Sequence, residues 1–339
     1  MRALAAFSGV AMLAAFGSWM AFALLPPKPQ PLPVREGPAL TAARTWGYQL
    51  QNVSAAAIPD PIDLLVVDYS RDGGAGRALS RREVAALARR SDGRLRIVLC
   101  YLSIGEAESY RGYWRDSWNT APPVWLGPEN SKWKGNYAVR FWDPGWQQLI
   151  VAQPQDASWA GWVQSTLFPP RKAYLDAIVD AGFDGVMLDR IDAYEKAAET
   201  RPSARAEMIA FVGAISAAGK RQRPGFMIVA QNAEELTLDA EYRGTVDAVV
   251  KEDLIFGEGG DGVPNDPTQA RRTIATLSRA KAAGLPVFTV EYVTDAERQK
   301  PTLNDWRTLG FIGTFASRAL NEPPMLPPLP PAEPFARPH

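Results

Sequence analysis

Short apolar runs rich in β-branched and aromatic residues recur along the chain, separated by longer stretches whose apolar positions follow a helical period. The runs predict strands over 46–50, 64–69, 96–103, 185–189, 226–231, 248–252, 286–291 and 311–315. The intervening periodicity predicts helices over 80–90, 172–181, 203–220 and 266–283. Two of these carry start signals: Ser80 precedes Glu83 at capping-box spacing, and Asp266 stands directly before Pro267. Eight strands alternating with helices predict an α/β chain closed as a (β/α)8 barrel, with a doubly wound sheet as the alternative.

Side chains alternate between the two faces of a strand, so the pattern also sorts residues. If Asp189 points into the barrel, Val186 and Leu188 meet the helix layer. An inward Glu252 sends Val249 and Lys251 the other way. Lys251, the one candidate for Schiff-base chemistry, and Glu252 therefore exclude each other from the interior. Leu99, Tyr101 and Ser103 fall inward, which leaves Cys100 as a small buried hydrophobe. Active sites of such barrels lie at the carboxyl ends of the strands. Those ends collect Asp68, Glu106, Asp189, Asn232, Glu252 with Asp253, and Glu291. Acids crowded into one bowl repel one another unless a cation or a proton compensates them.

Composition narrows the chemistry. The 339 residues balance 37 basic against 37 acidic side chains without basic runs, which argues against nucleic acid as a partner. Cys100 is the single cysteine and His339 the single histidine. An intrachain disulfide, a cysteine-based zinc site and any histidine-based triad are thereby removed. Eight of the eleven tryptophans fall between Trp114 and Trp162. They occupy a stretch over 106–164, too long for an ordinary loop, read as an insertion over the barrel mouth after strand three. A short strand is expected in it at 138–141. Tryptophan faces suit the flat apolar side of a pyranose; a hydrophobic subdomain core is the alternative for each of them. Two glycine runs fail as nucleotide loops. Leu79 stands where the third glycine after Gly74 and Gly76 belongs, and Gly257 to Gly262 lacks the Lys-Ser/Thr of a phosphate loop. Both are expected to be flexible rim loops. No cofactor and no metal are expected.

The ends read differently. Arg2 leads an uncharged apolar run through residue 25, expected to be a signal peptide or an N-terminal anchor, so the chain is expected to be exported. Residues 26–44 form a proline-rich linker, 45–321 the barrel, and 322–339 a proline-rich tail.

Five segments in order, YLSIGEAESYRGYW (101–114), FWDPGW (141–146), GFDGVMLDRIDAYE (182–195), AQNAEEL (230–236) and KEDL (251–254), resemble glycoside hydrolase family 114. This group comprises secreted endo-α-1,4-polygalactosaminidase-like TIM barrels. The resemblance implies endo-hydrolysis of an α-1,4-linked galactosamine polymer, a cationic polysaccharide, with Asp189 and Glu252 as the catalytic pair. Asp189 is expected to act as nucleophile and Glu252 as general acid/base, kept protonated by the nearby Asp253 and Glu291. Arg190 alternates outward and is expected to anchor its strand. Subsite candidates are Asp68, Tyr69, Tyr101, Glu106, Trp142, Asp192, Gln231, Asn232, Glu291 and Tyr292. The last strand, GFIGTFASRAL (310–320), departs from the more polar family pattern, which puts the exact polymer in doubt. Two other classes fit the same residues: a non-catalytic polysaccharide-binding barrel, and an enzyme whose Asp189, Asp192 and Glu252 hold magnesium.

Overall fold

Eight parallel strands run in the order β1, β2, β3, β7, β8, β9, β12, β13 in the computed structural model, which describes residues 39–151 and 172–325. These residues belong to one compact unit. In chain order the elements are β1 (Trp46–Gln49), β2 (Leu64–Val67), α1 (Arg81–Ala88), β3 (Ile97–Ser103), β4 (Glu106–Glu108), β5 (Leu126–Glu129), β6 (Asn136–Val139) and α2 (Pro144–Ile150). Then follow α3 (Tyr174–Ala181), β7 (Gly185–Asp189), α4 (Ala193–Ala198), α5 (Ala204–Gln222), β8 (Met227–Gln231), α6 (Ala240–Thr245) and β9 (Ala248–Glu252). The last are β10 (Phe256–Gly257), β11 (Gly260–Pro264), α7 (Pro267–Ala282), β12 (Val287–Glu291), α8 (Ala296–Leu309) and β13 (Ile312–Phe315).

The sheet nearly closes into a (β/α)8 barrel: Leu50 and Gln51 at the end of β1 donate their backbone N–H to the carbonyl of Leu320 beyond β13. Every expected strand and helix is present, its ends displaced by at most two residues. Both faces of these strands are buried, one by the interior and one by helices, which is why they read as continuous apolar runs. Trp46, Leu64, Val66, Leu99, Met187, Val229, Val250, Phe288 and Val290 fill the interior as one cluster. That register points Asp189 and Glu252 to the inside, and it leaves buried Cys100 on the helix side.

Helix α8 was not foreseen. It carries Pro301 in its interior and buries only Thr302 and Trp306, so its sequence lacks an apolar stripe. Asp295 starts it by accepting from the Arg298 N–H at 3.0 Å. The insertion holds a three-stranded antiparallel sheet, β4-β6-β5, with the expected short strand beginning two residues early. The glycine run at 257–262 is not a plain rim loop; it folds as the antiparallel hairpin β10–β11. The expected signal or anchor, most of the linker and tail, and Trp159 and Trp162 lie outside the described residues. Among the described residues no helix is long and apolar enough to cross a membrane.

Gly105 joins β3 to the insertion where the chain passes the turn after β7. A Cβ there would overlap the carbonyl oxygen of Arg190 and lie 2.7 Å from the Ala193 Cβ. Backbone cannot yield as a side-chain end can. Gly105→Ala should cost about 1–3 kcal/mol in urea denaturation; an unchanged midpoint would show that the turn at Arg190 is free to move.

Candidate active site

The carboxyl ends of β7 and β9, the fourth and sixth barrel strands, bring Asp189 and Glu252 into one bowl. Tyr101 at the inner face of β3 donates its hydroxyl to Asp189 Oδ2 at 2.6 Å. Glu252 receives more. Tyr292 donates to Oε1 at 2.9 Å, and the side-chain amides of Gln231 and of Asn232 (3.1 Å) donate to Oε2. Asn232 adopts a left-handed φ of 58°, and its Oδ1 accepts from Lys251 Nζ at 3.4 Å. The lysine is thereby held outside the bowl, opposite in phase to Glu252.

Burial, then the nearby charge of Glu252, pushes the Asp189 carboxyl up to about 7, against the pull of the Tyr101 hydrogen bond. Asp189, expected as the nucleophile, is thus a carboxyl whose hold on a proton is raised. Tyr48, on β1 and 3% exposed, lies within the field of both carboxylates; burial and then Asp189 and Glu252 raise its phenol.

The other expected site residues divide. Tyr101, Gln231, Asn232 and Tyr292 touch the pair. Asp192 lies at the rim, one oxygen accepting from Arg190 at 3.1 Å and the other buried without a partner among the described residues. Arg190 does not follow the strand alternation, because its φ of 61° ends the extended geometry. Its guanidinium turns to Asp192 and to Glu106, 3.3 Å away. Glu106 is further fixed by the Asn130 and Asn136 amides, which tie the insertion to the rim. Asp68 is engaged rather than open: the sealed Arg111 donates to it at 2.6 Å and to Glu108 at 2.7 Å. Burial raises the Asp68 carboxyl even so.

Two expected subsite residues lie elsewhere. Tyr69 follows the outward phase of β2 and packs edge-on against Tyr174 of α3, 5.4 Å between centroids. Glu291 is fully buried on the helix side of β12 and accepts the Ile255 and Phe256 N–H groups, so it fastens the segment after β9. Both errors arise from reading strand ends without carrying the alternation through. Trp142 stands at the rim with its face covered by Arg201, 4.7 Å from the centroid. Of the insertion's other described tryptophans, Trp114, Trp118, Trp125 and Trp146 meet edge-on or tilted in a chain with centroids 5.0–5.2 Å apart. Trp125 and Trp146 are buried, so the hydrophobic-core alternative holds for them; Trp133 remains exposed.

The sequence pattern assigned no site role to Tyr48, Glu108, Arg111 and Arg318, nor to Ser103 beyond its inward phase. Tyr48 and Ser103 could have been found, since each falls on the inward phase near a strand end. The arginines could not, because their partners come from distant loops. Among the described residues no group of three or more His, Cys, Asp or Glu is arranged to hold a metal ion.

An eight-stranded barrel with two interior carboxylates at its mouth is the arrangement of a glycoside hydrolase. The family model for glycoside-hydrolase family GH114 matches residues 30–326, and the chain belongs to that family. It is 35% identical over 302 residues to an uncharacterized protein of Deinococcus radiodurans, covering 88% of each chain. It is 34% identical over 268 residues to one of Methanocaldococcus jannaschii, covering 76% of this chain and 69% of the other. Among solved structures, the glycoside hydrolase domain of PelA from Pseudomonas aeruginosa shares the fold, with a TM-score of 0.59 at 17% identity. That match covers 84% of this chain and 98% of the domain.

The raised Asp189 carboxyl has a thermodynamic consequence. The folded protein keeps a proton that an unfolded aspartate releases near pH 4. Its contribution to stability is complete below about pH 4 and is lost as pH rises through about 7. Asp189→Asn removes this dependence. In urea denaturation at stepped pH, the variant should gain on the wild type between about pH 4 and 7; a constant difference would contradict the assigned shift.

Proposed function

We propose that this protein is an exported endo-acting glycosidase that cuts an α-1,4-linked, galactosamine-containing polysaccharide by double displacement on Asp189 and Glu252. The observation that carries the proposal is the pair of inward carboxylates at the mouth of the barrel, Asp189 bonded by the Tyr101 hydroxyl and Glu252 by Tyr292, Gln231 and Asn232. A glycosidase of this kind needs one carboxylate and one carboxylic acid at the same pH. Asp189 attacks the anomeric carbon, and Glu252 gives a proton to the departing oxygen, then takes one from the water that releases the product.

Before attack Asp189 must be ionised and Glu252 protonated. A sugar whose anomeric carbon lies over Asp189 brings positive character to that carboxylate and so favours its ionised form, while the glycosidic oxygen needs a proton from Glu252. Tyr101 remains on Asp189 as a donor and weakens as the carboxylate becomes an ester. Gln231, Asn232 and Tyr292 aim Glu252 and limit its rotation. Ser103 Oγ and Gln231 Oε1 are buried without hydrogen-bond partners at the ends of β3 and β8, which supports a role in receiving sugar hydroxyl or amine groups once substrate opens the mouth.

An amine-bearing polymer suits the rim. Burial, then the charges of Asp192 and Glu234, raises the Glu195 carboxyl at the start of α4. A protonated amine entering there relieves that repulsion and is drawn in at longer range by the same field. The apolar run before residue 26 supports export of the chain.

Purified protein incubated with α-1,4-linked galactosamine oligomers should release internal fragments detectable by mass spectrometry, with the α configuration retained in the first product seen by NMR. Asp189→Asn and Glu252→Gln should each lower kcat by several orders of magnitude while the fold persists. Wild-type rates in both variants would remove the pair from the mechanism. Initial release of the inverted anomer would replace double displacement by direct attack of water.

A further inference from the structure

Each carboxylate of the pair receives a tyrosine hydroxyl, and each of those tyrosine rings lies against an arginine. The Arg111 guanidinium stands 5.9 Å from the ring centroid of Tyr101, the donor to Asp189. The Arg318 guanidinium stands 4.2 Å from the centroid of Tyr292, the donor to Glu252. Each arginine is in turn fixed by two acids, Asp68 and Glu108 for the first, Asp253 and Asp261 for the second.

The pattern repeats but the setting differs. Arg111 is sealed in the protein, its side chain 1% exposed. Arg318 is 28% exposed, comes from the segment after β13, and takes its second acid from the hairpin β10–β11. We infer that Arg318 is a positioning residue for Glu252: gripped by Asp253, it lies across the Tyr292 ring and holds the phenol hydroxyl on the Glu252 carboxylate. Its kinetic consequences rest on the glycosidase reading; its structural ones do not.

Two links connect Arg318 to Glu252. Its fork grips Asp253 through two bonds of 2.9 and 3.0 Å, and Asp253 is the residue after Glu252, held at a left-handed φ of 52°. Such a backbone persists only where its surroundings impose it. The second link is the ring. A guanidinium stacks on an aromatic face and chelates a carboxylate at once, which an ammonium cannot do. Releasing Arg318 therefore loosens both the residue that follows Glu252 and the phenol that donates to it. The titratable and polar groups around Glu252 are Tyr292 beyond β12, Gln231 and Asn232 at the end of β8, Asp189 on β7 and Tyr48 on β1. Losing a donor to the ionised carboxylate raises the apparent pKa of the pair.

The test uses the full chain with Arg318→Met, Arg318→Lys and Asp261→Asn, the last cutting only the tie to the hairpin. Carbon NMR titration of the side-chain carboxyls needs no substrate. Both Arg318 variants should raise the apparent pKa of the Asp189/Glu252 pair by about half a unit or more, and Asp261→Asn should leave it in place. On galactosamine oligomers Arg318→Met should lower kcat about tenfold or more with KM nearly unchanged, and lysine should not restore it. An unmoved pair in Arg318→Met, or an equal shift in Asp261→Asn, would overturn the inference. So would a raised KM with kcat intact, since Arg318 would then be meeting substrate directly. Should the methionine variant fail to fold, the lysine variant decides by the same titration. If the wild type cuts no amino-sugar polymer, the glycosidase reading fails while the titration still judges Arg318.

Discussion

Asp189 and Glu252 face the same barrel mouth, where burial and then the charge of Glu252 push the Asp189 carboxyl up to about 7. Much of the surrounding architecture answers that repulsion. Buried tyrosines supply hydroxyl donors, side-chain amides from the end of β8 take up the excess on Glu252, and two arginines stand behind the tyrosines. The result is a site in which the Asp189 carboxyl holds its proton more tightly than an ordinary aspartate beside a second carboxylate fixed by three donors.

The barrel makes this possible by separating tasks. Its interior below the pair is filled with branched and aromatic side chains and carries no charge of its own. The charges are confined to the strand ends and the segments that follow, where left-handed residues such as Arg190, Asn232 and Asp253 turn the chain sharply. Three of the polar anchors come from those turns. The insertion after β3 contributes differently: its sheet and edge-packed tryptophans form a small core that seats Arg111, Glu108 and Glu106 against the rim.

Much of this was legible in the chain itself. Eight apolar runs gave the strands, and simple alternation put Asp189, Glu252 and Tyr101 inside and Cys100 and Lys251 outside. Glu291 shows where the same rule was not carried far enough, since its neighbours Val290 and Tyr292 already occupy the inward phase. The tryptophans illustrate a different limit. Their clustering is visible, but whether a ring faces solvent or another ring depends on contacts such as Trp125 with Trp146, which no spacing encodes. Arg111 and Arg318 lie beyond sequence reach for the same reason: their meaning comes from partners 43 and 65 residues away along the chain.

The site rests on the repulsion between Asp189 and Glu252, and titration of Asp189 in the Glu252→Gln variant tests it most directly. With the neighbouring charge gone but burial retained, the Asp189 carboxyl should fall from about 7 by roughly a unit or more while staying above an ordinary aspartate. An Asp189 that titrates identically with and without the Glu252 charge would show two independent acids, and the coupled pair would have to be abandoned.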